Sequence, residues 1–328
     1  MEQFVLYILI VVALIFDFLN GFNDSSNVVA TMISSRGMSP KSALALAAIC
    51  HFLAPFIFGI SVAKTIGEGI VDPQTITLKV ILAALLGAVI WNIITWALGI
   101  PSSSSHALVG GILGSVIIGY RINMIKTSGM IRIIISLIVS PILGLIFGYL
   151  FMKIILFLVR GFSPKANIFF KKTQILTATL LSLSHGTNDA QKTMGIITMA
   201  LMTAKLLPEF IVPKWVVICS ALAIALGTAL GGWKIIKTIG TKYYKIRPIH
   251  SFVSQLSSSS VILGAALLGG PVSTTHVVSS SIVGAGSAER LSKVRWTVVK
   301  NIITAWIVTI PLSALMAAVF YYIINYYI

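Results

Sequence analysis

Four short stretches hold the residues that could do chemistry, and they come in two pairs. Gly21-Phe22-Asn23-Asp24 returns as Gly186-Thr187-Asn188-Asp189, and Pro101-Ser102-Ser103-Ser104-Ser105-His106 returns as Pro271-Val272-Ser273-Thr274-Thr275-His276. The first pair offers carboxylate and amide oxygens. Beside unwound backbone, whose carbonyls can complete a shell, these suit a hard monovalent cation such as Na+. A proton could use the same carboxylates, and the motif alone does not choose between them. The second pair offers hydroxyls behind a proline. The proline ends one helical stretch, and the following Ser or Thr residues cap the next. A helix N-terminus presents free N–H groups and partial positive charge, which together bind oxyanions. Two such N-termini, reached from opposite sides, could cradle one tetrahedral anion.

Asp17, Asp24 and Asp189 are acids inside long apolar segments, whereas Glu2, Glu68, Asp72, Glu209 and Glu289 sit near segment ends or in loops. An intramembrane acid costs about 3 kcal/mol on insertion scales and marks a functional candidate. For Asp17 a structural hydrogen bond between helices explains the residue equally well. Lys192 is a buried base whose counterpart in the first copy is Asn27. It could pair with Asp189 or help to hold an anion, and Asn27, Gln191, Lys192 and Asp17 form an accessory set. His106 and His276 each follow a hydroxyl cluster by one residue, which favours a structural hydrogen-bonding role. His51 reads as a packed polar residue, and Ser257–Ser260, without a counterpart in the first half, as a packing run.

The elements that must position these residues are membrane helices. The chain of 328 residues is 57% hydrophobic and 10% charged, where soluble domains carry roughly 25% charged residues. Backbone in lipid must satisfy itself, so the long apolar runs predict helices rather than strands. The net charge of +16 reflects Lys and Arg in short loops; no basic stretch is long enough to track a nucleic-acid backbone. Cys50 and Cys219 read as buried thiols with neither a disulfide nor a metal. No basic stretch precedes the first apolar run, so no cleavable signal is expected.

The runs divide into an all-α polytopic fold of two repeats. Residues 1–160 form the first, 161–172 a basic cytoplasmic linker, and 173–328 the second. Each repeat holds about five membrane segments: 4–33, 42–63, two between 79 and 121, and 133–152 in the first half. A break is expected within Gly21–Asn27 and its copy, since Gly beside Asn and Asp disfavours helix. An odd number of segments makes the repeats inverted in topology, and re-entrant hairpins would change the count. Loop charge places the linker and residues 234–247 in the cytoplasm and both termini outside the cell membrane. The loops 121–132 and 289–300 are both basic, so one of them must break the rule.

With these motifs in place the chain resembles the inorganic phosphate transporter (PiT) family. The resemblance rests on Gly21-Phe-Asn-Asp-Ser-Ser-Asn27, on His185-Gly-Thr-Asn-Asp-Ala-Gln-Lys192 and on the two Pro-x-Ser-Ser/Thr-Ser/Thr-His elements, and it covers nearly the whole chain. It implies inverted repeats and symport of inorganic phosphate, driven by Na+ in many members and by H+ in others, with sulfate carried by some relatives. It implies cation ligation by Asn23, Asp24, Asn188 and Asp189, and anion binding at Ser103, Ser104, Ser105, Ser273, Thr274 and Thr275. A homodimer is compatible with it. The long central soluble loop of animal members is absent. Sodium-coupled phosphate symport, with no enzymatic activity and no cofactor beyond the coupling ion, is therefore the expectation; H+-coupled phosphate or sulfate symport is the alternative. A passive anion channel and an intramembrane hydrolase fit less well. A hydrolase would need Ser105 or Thr275 to face its adjacent histidine, and neighbours on a helix point apart.

Overall fold

The computed structural model describes residues 2–73, 76–120, 122–162 and 166–327. Among them the chain is helical, with no strand beyond a bridge between Val71 and Ile125. The first half runs α1 (Glu2–Ser34), α2 (Pro40–Phe58), α3 (Ser61–Gly69), α4 (Leu78–Leu98), α5 (Ser104–Tyr120) and α6 (Thr127–Leu158). The second runs α7 (Ala166–Thr203), α8 (Lys214–Leu230), α9 (Trp233–Thr241), α10 (Pro248–Leu267), α11 (Thr274–Glu289) and α12 (Trp296–Tyr327). The sequence of long, medium and short helices recurs in the same order.

Helices α1, α2, α4, α6 and α12 are each long and apolar enough to cross a membrane, and α8 with α9, bent by 68°, makes a further candidate. The remaining segments carry more polar residues or are shorter; α5, α11 and the second half of α7 lie largely inside. The surface is correspondingly apolar: α6 exposes Ile131, Ile134, Ile135, Ile138 and Ile142. The interior holds Asp17, Asp24, Asp189, Lys192, His51 and His185. This reverses the pattern of a soluble domain and is what lipid contact outside and a polar pathway inside demand.

Packing interlocks the halves. Helix α12 lies on α5, and α6 lies on α11; α1 meets α8 and α9, while α7 meets α2 and α3. Small residues permit the close approaches expected of helices in lipid. A Cβ on Gly114 would meet the Ala314 carbonyl of α12, and one on Gly284 of α11 would meet the Leu145 carbonyl of α6. The residues that could do chemistry therefore sit where the two halves meet.

Four expectations change. Helices α1 and α7 run unbroken through Gly21–Asn27 and Gly186–Lys192. Local side chains bond back to the helix there: Ser25 Oγ to the Phe22 carbonyl (2.9 Å), Ser26 Oγ to Asn23 (2.8 Å) and Thr187 Oγ1 to Leu183 (2.7 Å). The glycines serve approach rather than breakage, because a Cβ on Gly21 would meet the Ile224 carbonyl of α8 and one on Gly186 would meet the His51 backbone of α2. The actual breaks lie at 59–60, 99–103, 231–232 and 268–273. The run 42–63 is thus split after Phe58, where Gly59 takes φ +81, a conformation that side chains disfavour. Helix α7 takes in residues 166–172 of the expected linker, of which 163–165 lie outside the described residues, and α9 occupies much of the stretch 234–247 expected as a loop.

Candidate ion and oxyanion site

The two Pro-Ser/Thr elements form the non-helical lead-ins to α5 and α11, as the spacing predicts. Ser273 caps α11 by accepting from the His276 N–H at 3.3 Å, and Ser103 accepts from the His106 N–H at 3.1 Å. Each capped helix leaves its first amides, those of Ser104 and Ser105 and of Thr274 and Thr275, without intrahelical acceptors. The two N-termini come together in the core. Ser105 Oγ donates to the Val272 carbonyl at 2.9 Å, and the His106 and His276 rings lie 4.4 Å apart. His276 also stacks on Trp306 at 3.8 Å, and Trp306 Nε1 holds the Pro101 carbonyl at 3.3 Å. The histidines therefore pack the junction, in keeping with a structural role.

The carboxylates of α1 and α7 arrive at this junction. One oxygen of Asp24, one of Asp189 and a ring nitrogen of His185 lie within 4.8 Å of one another, all buried. Asp24 receives hydroxyls from both N-termini: Thr275 Oγ1 donates to Oδ1 at 3.0 Å, and Ser104 Oγ stands 3.4 Å from Oδ2. The single Ser104 proton is shared with Asn20 Oδ1 at 2.7 Å, and Thr275 in turn accepts from Asn27 Nδ2 at 3.0 Å. Asp189 receives Thr274 Oγ1 at 3.0 Å on Oδ2 and the Lys192 ammonium on Oδ1. His185 Nε2 is 3.3 Å from Oδ2, and its ring stacks on His51 at 4.9 Å. His51 Nδ1 meets Thr228 Oγ1 at 2.7 Å.

The amides divide between the two copies. Asn188 is engaged at both ends, donating to the Gly270 carbonyl at 3.2 Å and accepting from the Val272 N–H at 3.4 Å. Asn23 donates to the Asn92 carbonyl at 3.2 Å, but its Oδ1 and that of Asn27 have no hydrogen-bond partner among the described residues. Gln191 leaves the site. Its Oε1 accepts from the Val62 and Ala63 N–H groups (2.7 and 3.2 Å) and so closes the N-terminus of α3. Asp17 is fully buried, with Thr193 of α7 beside its carboxylate. It lies seven residues, about two turns, before Asp24 on the same face of α1.

Carboxylates and free amide oxygens, the donors that suit a hard cation, thus meet two helix N-termini, the donors that suit an oxyanion, in one buried cluster. Asn20 and Asn92 belong to this set and escaped the sequence reading. Asn20 could have been found, since it lies four residues before Asp24 and so on its face; the Asn92 carbonyl could not. The serines of 257–260 bond mostly within α10, for example Ser259 Oγ to the Leu256 carbonyl at 2.9 Å.

The architecture is that of a polytopic membrane protein, and its similarity to known proteins makes it a transporter rather than an enzyme. The model of the phosphate transporter family matches residues 20–165 and 159–317. Probable low-affinity inorganic phosphate transporters of Bacillus subtilis (strain 168) and Rhizobium meliloti (strain 1021) are 47% and 45% identical to it. The first alignment covers 98% of each chain, and the second covers 96% of this chain and 95% of the relative. A solved structure described as the sodium-dependent phosphate transporter superposes with a TM-score of 0.89 at 25% identity, over 99% of this chain and all of that one. The chain belongs to the phosphate transporter family.

Proposed function

We propose that the chain is a Na+-coupled symporter of inorganic phosphate that works by alternating access. The observation that carries this reading is the double hold on Asp24, by Thr275 of α11 and Ser104 of α5. The acid that would bind the cation and the helix N-termini that would bind the anion share the same hydroxyl protons. A cation at Asp24, completed by the free oxygens of Asn23 and Asn27, relieves the carboxylate of its hydrogen bonds. Ser104 and Thr275 can then turn to phosphate, together with Ser103, Ser105, Ser273, Thr274 and the amides of both helix N-termini. The cation also offsets phosphate charge, so each ligand raises the affinity for the other.

Sodium as the coupling ion is supported by the sodium-dependent structural neighbour and by a donor set made only of oxygens. The repeats 1–160 and 173–328, inverted about the site, would supply the two access states. In the cell membrane both termini would face outward. The test is 32P-phosphate uptake into proteoliposomes under an inward Na+ gradient and, separately, an inward H+ gradient. Uptake with Na+ alone supports the reading. Uptake with H+ alone turns Asp24 into a proton carrier, and uptake of sulfate but not phosphate reassigns the anion.

A further inference from the structure

The second motif departs from the first at one position that changes the charge. Asn27 lies three residues after Asp24, and Lys192 lies three residues after Asp189. The Lys192 ammonium contacts Asp189 Oδ1 with both side chains wholly buried. An amide such as Asn27 can lend its oxygen to a bound cation; a lysine already is the cation. We infer that Lys192 is a built-in substitute for one coupling cation, so that the chain takes up one mobile cation fewer than its duplicated motifs would otherwise bind.

Three observations carry this. First, Asp189 already has its counter-charge: the Lys192 ammonium contacts Oδ1, and Thr274 Oγ1 donates to Oδ2. Second, the neighbouring Asn188 amide is tied to backbone at both ends, at Gly270 and Val272. In the first copy Asp24 has no cationic partner among the described residues, and the oxygens of Asn23 and Asn27 stand free. Third, Lys192 is a cation supplied by the chain itself at one of the two clustered carboxylates, Asp24 and Asp189. A buried charge without a counter-charge is strongly unfavourable, so the acid of the first copy calls for a mobile cation where that of the second does not.

The inference rests on the cation-coupled reading, and two measurements separate them. The first is the number of 22Na+ ions bound per purified chain with phosphate present. Lys192→Asn, which copies the first motif onto the second, should bind one ion more than wild type. The reciprocal Asn27→Lys, which sets an ammonium three residues after Asp24, should bind one fewer. The second is wild-type phosphate uptake against Na+ concentration, which should be hyperbolic, with a Hill coefficient of about one, and become sigmoidal in Lys192→Asn. A wild-type sodium count in either folded variant, or a sigmoidal curve in the wild-type protein, overturns the inference. Uptake in wild type that ignores the Na+ gradient defeats the coupling reading, while the ion count in the variants still decides the inference.

Discussion

Asp24 and Asp189 stand at matching places in the two halves and meet within one pocket, yet they are held differently. Asp24 is held by neutral donors that can move: a threonine, and a serine whose proton is shared with Asn20. Asp189 is held by a fixed charge on its own helix, with His185 one turn before it and Lys192 one turn after. Neutral hydroxyls can be exchanged for a cation at small cost, because each net hydrogen bond contributes about 1 kcal/mol. A buried ion pair cannot, since removing one partner strands the other. The difference teaches that duplication alone does not make two equal sites. Under the proposed reading, one copy serves as the ion-exchanging arm and the other as a permanent electrostatic support.

The sharpest way to break this comparison is to remove the fixed charge. Lys192→Met leaves Asp189 buried without its counter-ion and should lower stability by about 3–5 kcal/mol, read as a large fall in the thermal midpoint in detergent. Asp189→Asn with Lys192→Met removes both charges and should recover most of that loss. A Lys192→Met protein as stable as wild type would show that the pair does not support the pocket.

Next in size is Asp24→Asn. The fold should survive, because an amide can still accept the Thr275 and Ser104 hydroxyls. Cation-driven phosphate uptake should fall by about 100-fold, equivalent to about 2.7 kcal/mol of lost coupling. Uptake above half the wild-type rate would remove Asp24 from the cation site. Ser104→Ala and Thr275→Ala come below this. Each deletes one neutral donor worth about 0.5–1.5 kcal/mol, so phosphate affinity should weaken by about 2- to 13-fold. The two losses should not add, since both hydroxyls serve one carboxylate. Additive losses in equilibrium phosphate binding would mean that the two N-termini act independently.

Much of this was legible in the sequence, for physical reasons. The intramembrane acids declared themselves by their cost in lipid, and the Pro-Ser/Thr elements by turn and cap chemistry that works over three or four residues. Both N-caps, at Ser103 and Ser273, sit where those rules put them. The unbroken course of α1 and α7 was not legible. Gly21 and Gly186 look like helix breakers until the helices that press against them, α8 and α2, are known. The partner of Lys192 was open for the same kind of reason: an ammonium in a pocket of acids and anion donors has two plausible targets, and rotamer and packing decide between them. Gln191 shows the limit most plainly, since the backbone it satisfies at Val62 and Ala63 lies almost 130 residues away.

The smallest expected effect tests where the two halves should still be equal. Ser103 and Ser273 perform the same task, each accepting the N–H of a histidine three residues on, at 3.1 and 3.3 Å. Replacing an N-cap serine by alanine costs about 1 kcal/mol, and nothing in the electrostatics around Asp24 and Asp189 distinguishes the two caps. Ser103→Ala and Ser273→Ala should therefore lower the thermal midpoint by similar small amounts. Ser103→Ala also loses the 2.8 Å contact between Ser103 Oγ and His106 Nδ1, so any difference should make it the worse of the two. Sodium dependence of uptake should keep its wild-type shape in both, because neither cap bonds a carboxylate. A change in that shape in only one variant would place the corresponding serine in the exchange of cation for hydroxyl, and would move the asymmetry of the pocket from the acids to the helix N-termini.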